Sequence, residues 1–351
     1  MKKIRLAIIF GGNSSEYSVS LHSTASVLQN LNKELYFPIL IGITQTGTWY
    51  EYRGDIETLE HDHWQQDART RKVILSTSSK QGFMVEADGH YVPLDVDCVF
   101  PILHGKHGED GTLQGLLELA NIPYVGCNHT TSALAMDKEF THIICEAKGI
   151  EMAPYIVAHK AFYRKEDVLK VVKKLHLPLF VKPANAGSSF GISKVIDFDC
   201  LDEAITFAFE HDQKILIEEG IDGFEIGCSV LGNYELIIGE LDEIETHNGF
   251  FDYEAKYALE NTKIHCPARL DETTREKAKA MGESIYKMLG CRGLSRIDMF
   301  VGADQKLYFN EINTIPGFTS ASRYPMMMKQ AGISFADLID RLITLALEVQ
   351  E

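Results

Sequence analysis

A short run near the end of the chain, Glu311-Ile312-Asn313-Thr314-Ile315-Pro316-Gly317, constrains its fold most. It follows the apolar stretch Leu307-Tyr308-Phe309 and sets an acid and an amide two residues apart. Alternation along a strand aims both side chains at one face. Two oxygen ligands aimed at one point suit Mg²⁺, which shares its shell with water and substrate phosphates. The Pro-Gly that follows forces a turn and leaves backbone N–H groups for an anion. Upstream, Arg296-Ile297-Asp298-Met299-Phe300 reads as the preceding strand, with Gly302-Ala303-Asp304-Gln305 as a four-residue turn. That register pairs residue 298 with 309 and 296 with 311. Arg296, Asp298, Glu311 and Asn313 then share one face, an alignment that an odd-numbered loop breaks. A polar solvent face of an ordinary hairpin is the plainer alternative.

At 351 residues the chain is too long for one typical core, so two or three domains are expected. No apolar run approaches bilayer length, and Met1-Lys2-Lys3-Ile4 leads into a strand, not a signal peptide. A cytoplasmic protein with no membrane partner is expected. The formal charge of −16 argues against a nucleic-acid partner, since phosphate neutralisation dominates that binding. It leaves room for ATP if a few Lys and Arg are placed locally. The seven cysteines are scattered, with no C-x-x-C pair, and read as reduced, mostly packed thiols.

The N-terminal part alternates strand, Gly-turn and helix. Strands at 4–10, 37–43 and 98–103 and helices at 19–31 and 112–120 suggest a parallel α/β unit. Residues 50–95 read as peripheral, with a hairpin signal at Ala87-Asp88-Gly89. Further on, helices are expected at 131–148, 165–175, 201–210, 271–289 and 334–350. Strands are expected at 179–183, 192–196, 215–218, 224–231, 235–240, 263–268, 295–301 and 307–313. The loop Gly187-Ser188-Ser189-Phe190-Gly191 lies between two strands, so it is a hairpin tip. It lacks the order of a Walker A loop, but its N–H groups and hydroxyls can drape over phosphates. A plain turn is the alternative.

Lys182 sits inside an apolar strand pattern, where a lysine is costly to bury unless paired. That makes it a phosphate-ligand candidate. Lys138, in Met136-Asp137-Lys138, is a second, although a helix lysine is more often solvated. Glu218 and Glu219 end a buried-type strand, and Glu225 follows. Strand-end acids can take a ribose hydroxyl pair or an adenine amine, or simply face solvent.

These residues carry a recognisable pattern. The chain resembles the D-alanine–D-alanine ligases of the ATP-grasp superfamily over nearly its whole length. The resemblance rests on Phe10-Gly11-Gly12-Asn13-Ser14-Ser15-Glu16, His104-Gly105-Lys106-His107-Gly108-Glu109-Asp110-Gly111, Met136-Asp137-Lys138 and Val181-Lys182-Pro183. It continues through Gly187-Ser188-Ser189, Phe251-Asp252-Tyr253-Glu254-Ala255-Lys256-Tyr257, Arg296-Ile297-Asp298 and Asn310-Glu311-Ile312-Asn313-Thr314. It implies an α/β, three-domain ATP-grasp fold: an N-terminal parallel α/β domain (1–125), a central domain (126–220) and a C-terminal domain (221–351) with a lid at 245–260. It further implies an ATP-dependent ligase working through an acyl phosphate, with ATP between the second and third domains. Lys138, Lys182 and Ser189 would contact phosphates, Glu218 the adenine region and Glu225 the ribose. Asp298, Glu311 and Asn313 would hold two Mg²⁺ ions, with Mn²⁺ as a substitute. Glu16 would receive the first D-alanine amine, joined by Ser188 and Tyr257 in a triad. Lys256 would ride on the lid, and Arg296 and the Gly317 N–H would meet the oxyanion. A homodimer is the family expectation.

Within the family, Lys256-Tyr257 argues against a D-lactate enzyme. Phe251, and Ser322-Arg323 within Thr319-Ser320-Ala321-Ser322-Arg323-Tyr324-Pro325, resemble the vancomycin-resistance D-alanine–D-serine ligases of peptidoglycan precursor synthesis. A donor such as Arg323 can reward the extra hydroxyl of D-serine. Ala321 stands where both subfamilies often carry His. Ordinary D-alanine–D-alanine synthesis, an inactive ATP-grasp binding protein and a biotin-dependent carboxylase relative are the alternatives.

Overall fold

The computed structural model describes residues 2–76, 78, 81–187, 190–246 and 262–349. Three sheets organise them. The first contains β1 (Ile4–Gly11), β2 (Tyr36–Ile43), β3 (Trp49–Tyr52), β4 (Arg71–Leu75), β5 (Phe83–Ala87), β6 (His90–Leu94) and β7 (Cys98–Pro101), in the order β6-β5-β4-β3-β2-β1-β7. β1 runs parallel to both β2 and β7, as the α/β reading requires. From Leu6 to Phe10 its sequence is continuously apolar because both faces are covered. Leu6 and Ile8 pack in one core with Val27 and Ile339; Ala7 and Ile9 pack in another with Leu113 and Leu117. The segment read as peripheral supplies β3 to β6, which extend the sheet antiparallel. Asp88 and Gly89 take positive φ at the β5–β6 turn, as their hairpin signal implied.

The second sheet contains β8 (Tyr155–His159), β9 (Leu179–Pro183), β10 (Ser193–Val195) and β11 (Lys214–Glu219), all antiparallel, in the order β10-β9-β11-β8. Strict alternation sorts its residues. Leu179, Val181, Ile215 and Ile217 join Leu201 and Ile205 of the helix Leu201–His211 in a core. Phe180, Lys182 and Glu218 are left to the opposite face, which lines a cleft.

The third sheet contains β12 (Gly223–Leu231), β13 (Ile237–Thr246), β14 (Thr262–His265), β15 (Leu294–Gly302) and β16 (Leu307–Asn313), in the order β14-β13-β12-β15-β16. The helix Glu272–Met288 covers one face through Ala278 and Ile285. The hairpin β15–β16 does not follow the expected register. Met299 pairs with Phe309, but Asp298 pairs with Glu311 and Arg296 with Asn313. The turn is therefore one residue longer than expected, which alone would flip Glu311 and Asn313 to the far face. A β-bulge at Asn310 restores the alignment. It also explains why buried Phe309 and Ile312 are three residues apart on one strand.

Two helices depart from expectation. The stretch 131–148 is two helices, His129–Met136 and Lys138–Glu146, broken at Asp137, whose carboxylate caps the second by accepting from the N–H groups of Glu139 and Phe140. Arg323–Gln330, unassigned in the sequence, is helical. Pro325 is tolerated there because a first-turn N–H has no helical partner. This helix lies against β12 and β13 of the third sheet, while Phe335–Glu348 packs on β7 of the first, and Tyr324, Met328 and Ile339 share a core with Leu6 and Ile8 between the two sheets. No helix among the described residues is long and apolar enough to cross a membrane.

Candidate active site

Two clefts meet at Glu311. One, of about 330 Å³, lies between the second and third sheets. Phe180, Phe224, Phe300 and Phe309 give it apolar walls, and Lys138, Lys182, Glu218 and Glu225 line it too. The other, of about 380 Å³, lies where the first and third sheets approach. Glu16, His104, Arg296, Asn313, Gly317 and Arg323 line it, and Glu311 lines both. A flat apolar slot with cations at one end suits a nucleotide; a small polar cleft suits an amino acid.

The two lysines are paired, as burial demands. Lys182 Nζ lies 2.6 Å from Glu218 Oε2 and 3.4 Å from Asn310 Oδ1. Lys138 Nζ lies 3.2 Å from Glu311 Oε2 and donates to the Ala186 carbonyl at 2.9 Å. Ala186 precedes the glycine loop, so this lysine ties the loop to β16.

On β15, Arg296 clasps Asp298 through Nε and Nη2, both at 2.7 Å, and Asn313 Nδ2 donates to Asp298 at 2.9 Å. Among the described residues no group of three or more His, Cys, Asp or Glu side chains forms a metal cage. The two facing carboxylates and one amide are hard oxygen donors. They fit a Mg²⁺ ion that completes its shell with phosphates and water.

Glu16 is nearly buried, and its Oε2 lies close enough to Gly105 and Gly187 that a Cβ at Gly105 would collide with it. This packing brings the first loop against Gly105 and Gly187. Burial pushes the Glu109 carboxyl well above the usual carboxylate range, and the neighbouring Glu16 charge adds to the effect. His104 Nδ1 donates to the Ile315 carbonyl oxygen at 3.0 Å, and burial holds its pKa below the ordinary imidazole value. Glu109 and His104 carried no assigned role in the sequence, although both lie in its His-Gly-x-x-Gly-Glu run.

Arg323 lines the amino-acid cleft, but its guanidinium is held by acids. Nε and Nη2 donate to Asp242 at 2.7 and 2.9 Å, Nη1 donates to Glu225 at 2.9 Å, and Asp298 Oδ1 lies 3.6 Å away. Burial opposes this charge, yet Asp242, Asp298 and Glu225 together hold its pKa far above the usual value. Asp242 is fully buried, and nothing in the local sequence marked it. Ser322 Oγ accepts from the Thr319 N–H at 3.0 Å and stands beside Gly317. Ser188, Ser189, Phe251, Lys256 and Tyr257, and nearly all of the expected lid at 245–260, lie outside the described residues.

Two antiparallel sheets thus face each other across a slot of aromatic rings, paired lysines and acids, beside a parallel α/β unit. The family described as D-ala D-ala ligase N-terminus matches residues 5–127, and D-ala D-ala ligase C-terminus matches 144–344. The chain is 45% identical to the D-alanine–D-alanine ligase of Caldicellulosiruptor bescii over 99% of this chain and 96% of that one. It is 44% identical to the vancomycin C-type resistance protein VanC1 of Enterococcus gallinarum over 99% of each. Among solved structures, the VanG D-Ala:D-Ser ligase from Enterococcus faecalis is similar at a TM-score of 0.91 and 47% identity, covering 98% of this chain and 100% of that one. The chain belongs to the D-alanine–D-alanine ligase family, ATP-dependent, ADP-forming ligases that act on small amino acids.

Proposed function

We propose that this enzyme joins D-alanine to D-serine through a D-alanyl phosphate, in the cytoplasm and as a homodimer, for peptidoglycan precursors that confer vancomycin resistance. The observation that carries the reading is Arg323, a guanidinium lining the amino-acid cleft. Similarity to VanG and VanC1 supports it. The three domains are 1–125, 126–220 and 221–351, with ATP between the last two.

A carboxylate is a poor electrophile, so the γ-phosphoryl group is first transferred to D-alanine. Lys138, Lys182 and Ser189 hold the phosphates; Glu218 takes the adenine and Glu225 the ribose. Asp298, Glu311 and Asn313 would hold two Mg²⁺ ions, which would supply charge neutralisation for phosphoryl transfer. Glu16, with Ser188 and Tyr257, binds the ammonium of the first D-alanine. The second amine then attacks the acyl carbon, while Arg296 and the Gly317 N–H meet the oxyanion; the C–O bond to phosphate breaks, releasing inorganic phosphate, and the amine gives up its proton. The lid, carrying Lys256, keeps water from the acyl phosphate. Ser322, Arg323 and Phe251 face the second substrate.

One observation favours ordinary D-alanyl-D-alanine synthesis: Asp242 and Glu225 already engage the Arg323 guanidinium. A competition between D-alanine and D-serine near neutral pH, with products separated, decides between them. Mainly D-alanyl-D-serine is expected. Overwhelming D-alanyl-D-alanine rejects the D-serine reading, and no phosphate release with either amino acid rejects both.

A further inference from the structure

Two buried polar atoms beside the cleft between the second and third sheets, Glu218 Oε1 and His142 Nδ1, have no hydrogen-bond partner among the described residues. They face each other at 3.8 Å. His142 is 1% exposed, set edge-on against Tyr155 and Phe309 at centroid distances of 4.8 and 5.9 Å. Its Nε2 lies 3.3 Å from the Asn310 carbonyl oxygen. The other oxygen of Glu218 is the one bound by Lys182 at 2.6 Å.

A neutral imidazole has one donor and one acceptor. With the proton on Nε2, Asn310 is served and two lone pairs confront each other at Glu218. With the proton on Nδ1, the same fault moves to Asn310. Only the imidazolium donates on both sides. Burial opposes that charge and keeps the pKa of His142 below its ordinary value; Glu218 raises it, while Lys182 and Lys138 lower it. Among the described residues these three charges act most strongly on the ring, with Glu139 and Glu146 of its own helix near the Tyr155 that packs on it. The three come from β11, from β9 and from the start of its own helix. Tyr155 on β8 and Phe309 and Asn310 on β16 face it without charge. The balance therefore turns on Lys182, whose ammonium cannot serve Glu218 and a phosphate equally.

We propose that His142 is the second counter-ion of Glu218: when nucleotide phosphates draw Lys182 away, His142 takes a proton from solvent onto Nδ1 and holds the carboxylate in place. This rests on the reading of Lys182 as a phosphate ligand. His142 acts through Glu218 and is a positioning residue. Because binding takes up a proton, nucleotide affinity falls as pH rises between the free and bound pKa values of His142.

The test is calorimetric titration of the full-length enzyme with a non-hydrolysable ATP analogue and Mg²⁺, in two buffers of different ionisation enthalpy. Wild-type enzyme is expected to take up a fraction of a proton near neutral pH. His142→Gln, and His142→Phe as a second variant that retains ring packing, should lose that fraction and bind about tenfold more weakly, the equivalent of one pK unit. Ring-nitrogen spectra of ¹⁵N-histidine-labelled wild-type enzyme should show the His142 signal change from a neutral tautomer to the doubly protonated form on binding. Equal uptake in wild type and variants, or a neutral ring in the complex, overturns the proposal. Absence of nucleotide binding overturns it together with the Lys182 reading, whereas binding with an unchanged ring overturns this proposal alone.

Discussion

Arg323 meets Asp242 as a fork, Nε to Oδ2 at 2.7 Å and Nη2 to Oδ1 at 2.9 Å, across 81 residues of sequence. Through this pair the first residue of the helix Arg323–Gln330 is locked to β13, with Glu225 of β12 and Asp298 of β15 on its flanks. One guanidinium thus borders the amino-acid cleft while touching an acid of the nucleotide cleft.

Removing one partner of a buried ion pair leaves a charge uncompensated. Arg323→Leu is expected to lower stability to urea by about 3 kcal/mol and to shift the product ratio toward D-alanyl-D-alanine. The double variant Arg323→Leu/Asp242→Leu should regain much of the stability and none of the ratio. An unchanged ratio in both removes Arg323 from the specificity argument.

A Cβ at Gly227 would lie 2.5 Å from Asp242 Oδ1 and 2.7 Å from Arg323 Nη2. Gly227→Ala should therefore disturb the fork without removing a charge, costing about 1–3 kcal/mol as overpacking does. Product ratio and urea midpoint are measured together. A neutral result on both would mean that the fork yields at little cost.

Glu311 borders both clefts and pairs with Lys138. Glu311→Gln keeps the size of the side chain and removes its charge. The Mg²⁺ concentration for half-maximal activity is expected to rise about tenfold or more, with the fold retained by circular dichroism. An unchanged Mg²⁺ requirement would place the metal elsewhere.

At the edge of the first sheet, Asp97 accepts from the Arg5 backbone N–H at 2.8 Å and from its Nη2 at 2.9 Å. The Arg5 guanidinium holds the Asp97 carboxyl below its usual value of 3.8, against a smaller effect of burial. A depressed folded-state pKa means stability that is present above the unfolded pKa and lost as pH falls through the folded one. Asp97→Asn should accordingly lower the melting temperature at neutral pH and have less effect well below pH 3.8. Equal losses at both pH values would show that the charge is irrelevant.

The seven cysteines are free; Cys200 is exposed, Cys266 half-buried and the rest buried. A thiol reagent should label Cys200 rapidly in the native enzyme and all seven only after unfolding. Rapid native labelling of Cys127 or Cys291 would contradict their packing in the third-sheet core.

Much of the architecture was legible because it depends on neighbours in sequence. The continuous apolar run of β1 announced a strand covered on both faces, and Asp88-Gly89 announced a hairpin. The period of two that buries Val181 also turns Lys182 toward the cleft. Residue type and spacing marked Lys182, Asp298, Glu311 and Asn313, because a lysine in an apolar strand is costly without a partner and an acid-amide pair two residues apart shares one face, whereas Lys138 and Glu218 took their roles only through the family resemblance. The helix at Arg323–Gln330 was obscured by Pro325, a breaker everywhere except in a first turn.

Other features had no local signature. The bulge at Asn310 is set by pairing with β15, and without it Glu311 and Asn313 would point away from Asp298. Asp242 looks like any strand acid until the chain brings Arg323 to it, and His142 like any helix histidine until it meets Glu218. What the sequence determined by itself was which side chains need partners, since that follows from residue type and local period. Which partners they find was decided only by the tertiary structure, because ion pairing acts through space between strands and helices that sequence order leaves far apart.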